Sequence, residues 1–257
     1  MIALMSPAKR IDVKRTGNIP FHTQPVFQQQ ANDIMLQLTM MPVDEISKML
    51  ATSPILSMKA KAWAYDFLSP DSHSKEAILA YWGVAYRSLR ANDFSRDDFD
   101  YAQQHLRIGS GNYGLLRPLD LIKPYRMEFY TRLEGFGNNM QSYWNKNITD
   151  ELLLALNDDE EHILLNVSSK ETFSSFDAKR ISTVARIITI AFLKVTANGL
   201  KSVSPVMAKT ARGAFVRYFL KNRISNVKDL YSFSECGMSW YRSGTNDETI
   251  AFVHEDI

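Results

Sequence analysis

The sequence predicts a single compact domain of the α/β (α+β mixed) class, in which helices surround a mixed sheet. The chain has 257 residues, of which 45% are apolar and 23% are charged, as is ordinary for a globular protein with a sizeable core. Helical and strand patterns are interspersed along its whole length. Because no Pro-, Gly- or Ser-rich linker divides the chain, residues 1–257 are expected to form one domain.

The first third of the chain begins with a predicted strand and continues with helices. Ile2–Met5 is a short apolar run that ends at Ser6-Pro7, which is typical of a buried strand. Apolar residues then recur at helical spacing over residues 25–40, 43–50 and 54–67. Residues 77–81 form an apolar run too short for its periodicity to distinguish a strand from a helix.

A helix and a glycine-rich turn are predicted in the middle of the chain. Ser95 is a good N-cap, and the apolar residues after it give an amphipathic helix that ends near residue 107. The next segment, Gly109-Ser-Gly-Asn-Tyr-Gly114, matches the dinucleotide fingerprint G-x-G-x-x-G. It follows a predicted helix rather than a strand, and Pro118 prevents a long helix after it. We therefore predict a tight hairpin between two short helices.

Such a turn has a possible role in binding. Its backbone N–H groups can point at a phosphate, and Arg107 and Arg117 lie close to it on either side. This arrangement would hold duplex DNA without reading its sequence. A purely structural turn is the alternative.

The second half of the chain is predicted to contain three strands and two helices. The strands are expected at 162–167, 186–195 and 249–254, and the helices at 140–157 and 204–223. In the last helix one sector collects Met207, Ala208, Ala211, Ala214, Phe215, Tyr218 and Phe219, so this face should be buried. Small residues beside Lys209 and Arg212 would hold the stems of those two cations. The alternative is that the cations only keep the surface solvated.

The charge of the chain is unevenly distributed. Its net charge is only +2, but residues 178–228 contain eleven Lys and Arg and no Asp or Glu. A segment of this kind creates a field that can gather an anionic partner. The alternative is that folding brings acidic groups from elsewhere next to these cations and cancels the field.

Several classes of protein are excluded or disfavoured. The single cysteine, Cys236, rules out an internal disulfide framework and a Cys-based zinc site. The five histidines lack metal-ligand spacing, so neither a metal nor a cofactor is predicted. No apolar run is long enough to span a membrane, and the first residues do not resemble a signal peptide. We therefore expect a cytoplasmic protein without a membrane partner.

A set of short motifs extends over nearly the whole chain. It comprises Ser6-Pro-Ala-Lys9, Asp97–Arg107, Ser110-Gly-x-Tyr-Gly114, Leu116–Leu121, Pro124-Tyr-Arg126, Ala208-Lys-x-Ala-Arg-Gly213 and Arg217. In these motifs the sequence resembles the YaaA family of peroxide stress proteins. Two departures are Asn112, where the family usually has Leu, and Gly83-Val84, where it has Gly-Asp.

The resemblance implies a bacterial protein of the oxidative stress response that limits damage by unincorporated iron. It also implies a mixed α/β fold with a helix-hairpin-helix-like element and a basic cleft that binds duplex or junction DNA. The expected DNA-binding residues are Lys9, Arg107, Gly111, Tyr113, Gly114, Arg117, Arg126, Lys209, Arg212 and Arg217. Contacts to phosphates would supply most of the affinity, with little base readout.

Two other functions remain open. The same polar cleft could be that of a glycosylase- or lyase-like enzyme acting on a nucleotide or a damaged DNA base. Its candidate catalytic residues are Lys9, Glu128, Asn166 and Glu171, with non-enzymatic binding favoured over catalysis. Direct iron sequestration has the least support, because no clustered His or Glu ligands are found in the sequence.

Overall fold

An eight-stranded, mostly parallel sheet forms the centre of the computed structural model, which describes residues 1–14, 19, 21–197 and 199–254. The strands in the described ranges are β1 (Ile2–Met5), β2 (Lys75–Glu76), β3 (Leu106–Ser110), β4 (Gly114–Leu116), β5 (Leu121–Ile122), β6 (Ile163–Asn166), β7 (Arg186–Thr196), β8 (Gly199–Ser202), β9 (Met238–Trp240) and β10 (Thr249–His254). Strands β2 and β5 pair separately as a short antiparallel ladder. The predicted class, an α/β protein with a mixed sheet surrounded by helices, is confirmed.

Strand β1 lies in the middle of the sheet, where its four residues are completely buried. The order is β4-β3-β1-β6-β7-β10-β9, with β8 paired to the end of β7. Strands β3 and β6 both run parallel to β1, so that Leu4 lies beside Arg107 on one side and Asn166 on the other. The carboxyl ends of these three strands therefore meet at one edge of the sheet.

Helices cover the sheet and form a small bundle beside it. They are α1 (Gln28–Met40), α2 (Val43–Leu50), α3 (Pro54–Leu68), α4 (Ala77–Ala80), α5 (Val84–Leu89), α6 (Arg96–His105), α7 (Met140–Asn157), α8 (Lys170–Phe173), α9 (Ala178–Ile181) and α10 (Pro205–Lys221). Ser95 caps α6 in a capping box with Asp98, as the sequence predicts for the N-cap. None of the helices in the described ranges is long and apolar enough to cross a membrane.

Helix α10 buries the face that its sequence predicts. Ala211, Ala214, Phe215 and Phe219 are buried, while Met207, Ala208 and Tyr218 are half-buried at its margins. The close approach to α5 requires Gly213, because a Cβ there would lie 1.9 Å from the carbonyl oxygen of Ala85. The contact fixes α5 against α10.

The glycine-rich segment forms a β-hairpin, which corrects the prediction of two short flanking helices. Helix α6 ends at His105 and β3 follows at once, so Gly109 lies within a strand. The turn after Ser110 leads into β4, and no helix follows it. The structure therefore gives neither a helix-hairpin-helix element nor a dinucleotide-binding helix at this position. Residues 77–81, whose pattern fits either a strand or a helix, form α4 followed by Tyr81.

Candidate anion-binding cavity

A cavity of about 570 Å³ opens at the carboxyl edge of the sheet, where β1, β3 and β6 end. Its walls come from the segment after β1 (residues 5–10), the start of α5, the 125–129 loop, the β6–α8 connection and one side of α10. The chain passes from β1 to β3 on one side and later places β6 on the other. The connecting segments therefore diverge here and leave a crevice, the usual ligand site of open α/β sheets.

Three hydroxyl groups form a connected cluster in the cavity wall, just beyond the strand ends. The Oγ atom of Ser6 lies 3.2 Å from that of Ser169 and 2.9 Å from Thr172 Oγ1. Ser6 Oγ also accepts a 2.8 Å hydrogen bond from the backbone N–H of Ser169. These bonds join the segments that follow β1 and β6 and present a polar surface to a ligand.

Positive charge dominates the cavity. Among the described residues, six of its side chains are cationic and two are carboxylates: Lys9, Arg10, Arg87, Arg126, Lys209 and Arg212 against Glu128 and Glu171. Glu128 Oε1 lies 2.8 Å from Lys9 Nζ and 3.6 Å from Arg126 Nη2. The excess of cations over carboxylates favours an anionic ligand.

Two guanidinium groups in the cavity are incompletely paired. The Nε atoms of Arg126 and Arg212 are buried and have no hydrogen-bond partner among the described residues. Burial also lowers the pKa of Arg212, which has no carboxylate within ion-pair distance in the same ranges. A buried, partly desolvated cation gains more from a bound anion than an exposed cation does.

Glu171 has a structural bond that orients the cavity wall. Its Oε1 accepts a 3.2 Å hydrogen bond from the backbone N–H of Phe129, and so ties α8 to the loop that carries Glu128. A positioning role for this carboxylate follows from that contact.

Tyrosines make the rear wall rigid. Tyr86 donates a 2.9 Å hydrogen bond from Oη to the carbonyl of Ser6. Tyr125 Oη lies 2.6 Å from Tyr81 Oη and 2.7 Å from Ser110 Oγ in a buried chain. Burial raises the pKa of Tyr125 to about 12, so this chain stays neutral at physiological pH.

The structure brings seven of the predicted site residues together and leaves six elsewhere. Those lining the cavity are Lys9, Gly111, Arg126, Glu128, Glu171, Lys209 and Arg212. Of the others, Tyr113 and Gly114 are buried in the hairpin, where Tyr113 Oη accepts a hydrogen bond from the backbone N–H of Lys123. Gly111 is buried too, with Met127 O only 2.5 Å from where a Cβ would lie. In this conformation the hairpin amides are shielded from a DNA backbone.

The remaining four residues have partners within the protein. Arg107 is buried and donates from Nη1 to three carbonyl oxygens at the end of α6. Arg117 pairs with Asp120 at 2.9 Å, and Arg217 pairs with Asp93 at 2.7 Å. The Oδ1 atom of Asn166 accepts from the backbone N–H and hydroxyl of Ser168. These contacts give each of the four side chains a structural role within the fold.

The acid-free segment is partly neutralised by folding. Within the part of the chain that the structure describes, five of its eleven cations form ion pairs with carboxylates from outside it: Arg180 with Asp150, Arg186 with Asp247, Arg217 with Asp93, and Lys221 and Arg223 with Asp98. The alternative, that folding places acidic groups next to these cations, therefore holds for about half of the cations in the segment. Lys209 and Arg212 are the members that line the cavity.

Sequence reasoning missed Arg10, Arg87 and the hydroxyl cluster. Arg10 directly follows the Ser6–Lys9 motif, so that motif could have pointed to it. Arg87 lies on α5, whose six residues are too few for a periodic pattern, and Thr172 reaches Ser6 from 166 positions away. No three His, Cys, Asp or Glu side chains lie close enough to hold a metal ion in the described part of the chain.

Asn112 provides a stability prediction at the turn of the hairpin. Its side chain is completely buried, and neither Nδ2 nor Oδ1 has a hydrogen-bond partner among the described residues. Because Leu has a similar branched shape and no polar atoms, we expect Asn112→Leu to stabilise the fold by about 1–3 kcal/mol in urea denaturation. Asn112→Asp, which buries a carboxyl group instead, should destabilise it. A lower urea midpoint for the Leu variant would mean that the Asn112 amide group has hydrogen-bond partners in the folded protein.

The fold and the site together define an α/β protein with a cationic cavity at the carboxyl edge of its sheet. The sequence model of the family described as peroxide stress protein YaaA matches residues 1–243. The chain belongs to this family.

Three relatives align with this chain over nearly their whole length. A UPF0246 protein of Parabacteroides distasonis is 40% identical over 256 residues, which cover 99% of this chain and 100% of the relative. A UPF0246 protein of Bacteroides thetaiotaomicron is 34% identical over 255 residues, covering 99% and 98%. One from Bacteroides fragilis is 37% identical over 251 residues, covering 97% and 96%.

Proposed function

We propose that this chain serves the peroxide stress response as a DNA-binding protein that holds the phosphate backbone at its cationic cavity. The observation that carries the proposal is the convergence of Lys9, Arg126, Lys209 and Arg212, from three separate segments of the chain, on one cavity. Paired cations elsewhere, such as Arg217, are already neutralised by carboxylates. Contacts to phosphates carry no sequence information, so binding with little sequence preference is expected.

The site in this proposal is smaller than the sequence suggests. It consists of Lys9, Arg126, Lys209 and Arg212, of which Lys9 and Arg126 share the carboxylate of Glu128, and leaves out the buried hairpin and the arginines paired outside the cavity. A role in limiting iron-dependent damage would then follow from occupying DNA, since the described residues offer no cluster of metal ligands.

The salt dependence of binding tests the proposal. We expect labelled duplex or junction DNA to bind in fluorescence anisotropy with an affinity that falls steeply as salt is raised. Lys209→Gln/Arg212→Gln should weaken binding at least tenfold and reduce the slope of log K against log salt by about 1.8, because two phosphate contacts are lost.

The matched control is Lys179→Gln/Lys228→Gln. It removes the same charge from the same acid-free segment, at exposed positions outside the cavity. Equal losses in the two double variants would show that only net charge matters and would contradict a site at the cavity.

The enzymatic alternative is favoured by one contact. Lys9 Nζ lies 2.8 Å from Glu128 Oε1 at the cavity, so an amine and a carboxylate that could accept its proton are adjacent. The same incubations, run on denaturing gels with damaged-base substrates, test this alternative. Product that forms with the wild type and disappears with Lys9→Gln, while binding weakens by no more than the loss of one phosphate contact, would establish it over simple binding.

A further inference from the structure

We propose that a second pocket beside the cavity is a phosphate subsite for the nucleotide next to the one in the cavity. This inference rests on the proposed function. The pocket, here called the side pocket, has a volume of about 340 Å³. Its polar lining includes Arg87, Arg90 and Asn92, and it shares Trp82, Tyr86 and Arg87 with the cavity. A DNA strand that leaves the cavity across this shared wall would reach the side pocket next.

The two arginines of the side pocket are available to a ligand. Both side chains are exposed, and neither has a carboxylate within ion-pair distance in the described ranges. The guanidinium of Arg87 lies over the ring of Trp82, 5.6 Å from its centroid, which restricts its position. A planar, oriented guanidinium is suited to bidentate contact with a phosphate.

The backbone that carries Arg90 is held in place from behind. Arg90 adopts a left-handed conformation with a φ of 50° at the end of α5. Arg217 donates hydrogen bonds to the carbonyls of Leu89 and Arg90 while it pairs with Asp93. The predicted DNA contact Arg217 is therefore a positioning residue that orients Arg90.

The size of the cavity limits what can enter it. A volume of about 570 Å³ is that of a small-molecule site and accommodates one nucleotide, whereas a duplex is far larger. The ligand assigned to the pair of pockets is consequently a short unpaired stretch of a DNA strand, such as the open branch point of a junction or the frayed end of a duplex, while the paired remainder stays outside the cavity. One nucleotide occupies the cavity, and the neighbouring phosphate contacts Arg87 and Arg90.

Two probes of different length separate the pockets. Thymidine 5′-monophosphate, followed by calorimetry, reports on the cavity alone. A labelled, 5′-phosphorylated thymidine pentanucleotide, followed by anisotropy over a salt series, reports on both pockets. We expect Arg90→Gln, at a position that lines the side pocket but not the cavity, to leave the affinity for the monophosphate within twofold of wild type. The same variant should weaken binding of the pentanucleotide at least tenfold. It should also lower the slope of log K against log salt by about 0.7, the value for one single-strand phosphate.

The outcomes distinguish this inference from the function on which it rests. Lys209→Gln/Arg212→Gln should lose binding of both probes, whereas Lys179→Gln/Lys228→Gln should keep binding of both. Unchanged pentanucleotide binding in Arg90→Gln, or an equal loss of both probes, would overturn the second subsite and leave the cavity site intact. If wild type binds neither probe and no DNA, the proposed function fails as well.

Discussion

Replacing Gly213 by alanine is expected to destabilise the protein by about 2–3 kcal/mol, although alanine is ordinarily the better helix residue by about 1 kcal/mol. The added methyl group would lie 1.9 Å from the carbonyl oxygen of Ala85 and 2.9 Å from Ser88 Cβ. Since the nearest atoms belong to backbone, α5 must move away from α10. Urea denaturation of the variant should show a lower midpoint at an unchanged slope.

The same substitution should also weaken DNA binding. Ala85 lines the cavity, and α10 carries Lys209 and Arg212, so separation of the two helices displaces the cations from the opposite wall. Val206→Ala is the control, because Val206 lies on the same helix and is 62% exposed. It should change the midpoint little. A Gly213→Ala variant as stable as wild type would show that the two helices are free to adjust.

Asp98→Asn is expected to cost about 3 kcal/mol of stability, because it removes the charge that three separate groups share. The buried carboxylate of Asp98 contacts Lys221 Nζ at 2.6 Å and Arg223 Nη2 at 2.7 Å, which joins α6 to the end of α10. It also accepts a hydrogen bond from the backbone N–H of Ser95 within the capping box. The control is Asp97→Asn at the exposed neighbouring position in the same helical turn, which should change stability only slightly.

The effect of Asp98 should depend on pH in a defined direction. Burial alone would raise the pKa of its carboxyl group, but the bonds from Lys221, Ser95 and Arg223 outweigh burial and hold the pKa well below its ordinary value. A carboxyl group with a depressed pKa stabilises the fold above about pH 4 and loses this contribution as the pH falls further. The stability difference between wild type and Asp98→Asn should therefore be full at pH 6–7 and shrink below pH 4. A difference that grows on acidification would contradict this assignment.

The elements that the sequence predicted correctly are those with long or unambiguous patterns. The helix predicted over 43–50 has those bounds as α2, and the predicted helix at 204–223 corresponds to α10. Strands β3 and β4 escaped prediction because their residues include Gly109, Ser110 and Gly114, which have low strand propensity. Gly109 and Ser110 pair with Leu115 and Gly114 in the hairpin, and the earlier part of β3 pairs with β1 from a distant part of the chain.

The candidate site was predictable in part for a similar reason. Lys9, Arg126, Lys209 and Arg212 are each recognisable from a local motif, and the fold collects them. Whether a cation is free depends instead on partners that are remote in sequence: Asp93 pairs with Arg217 across 124 positions. Local patterns contain no information on such a contact, which is why Arg217 resembled a DNA contact in the sequence and is an internal ion pair in the structure.

The central position of β1 has a consequence for the synthesis of the protein on the ribosome. Ala3 pairs with Leu106 on one side and Leu165 on the other, so this strand needs partners that are made much later. At about 5–20 residues per second, β6 leaves the ribosome several seconds after β3. During that interval one edge of β1, with its apolar side chains, has no partner strand and is open to chaperones or to other nascent chains. The walls of the cavity include the ends of β1, β3 and β6, so the cavity can form only after β6 has left the ribosome.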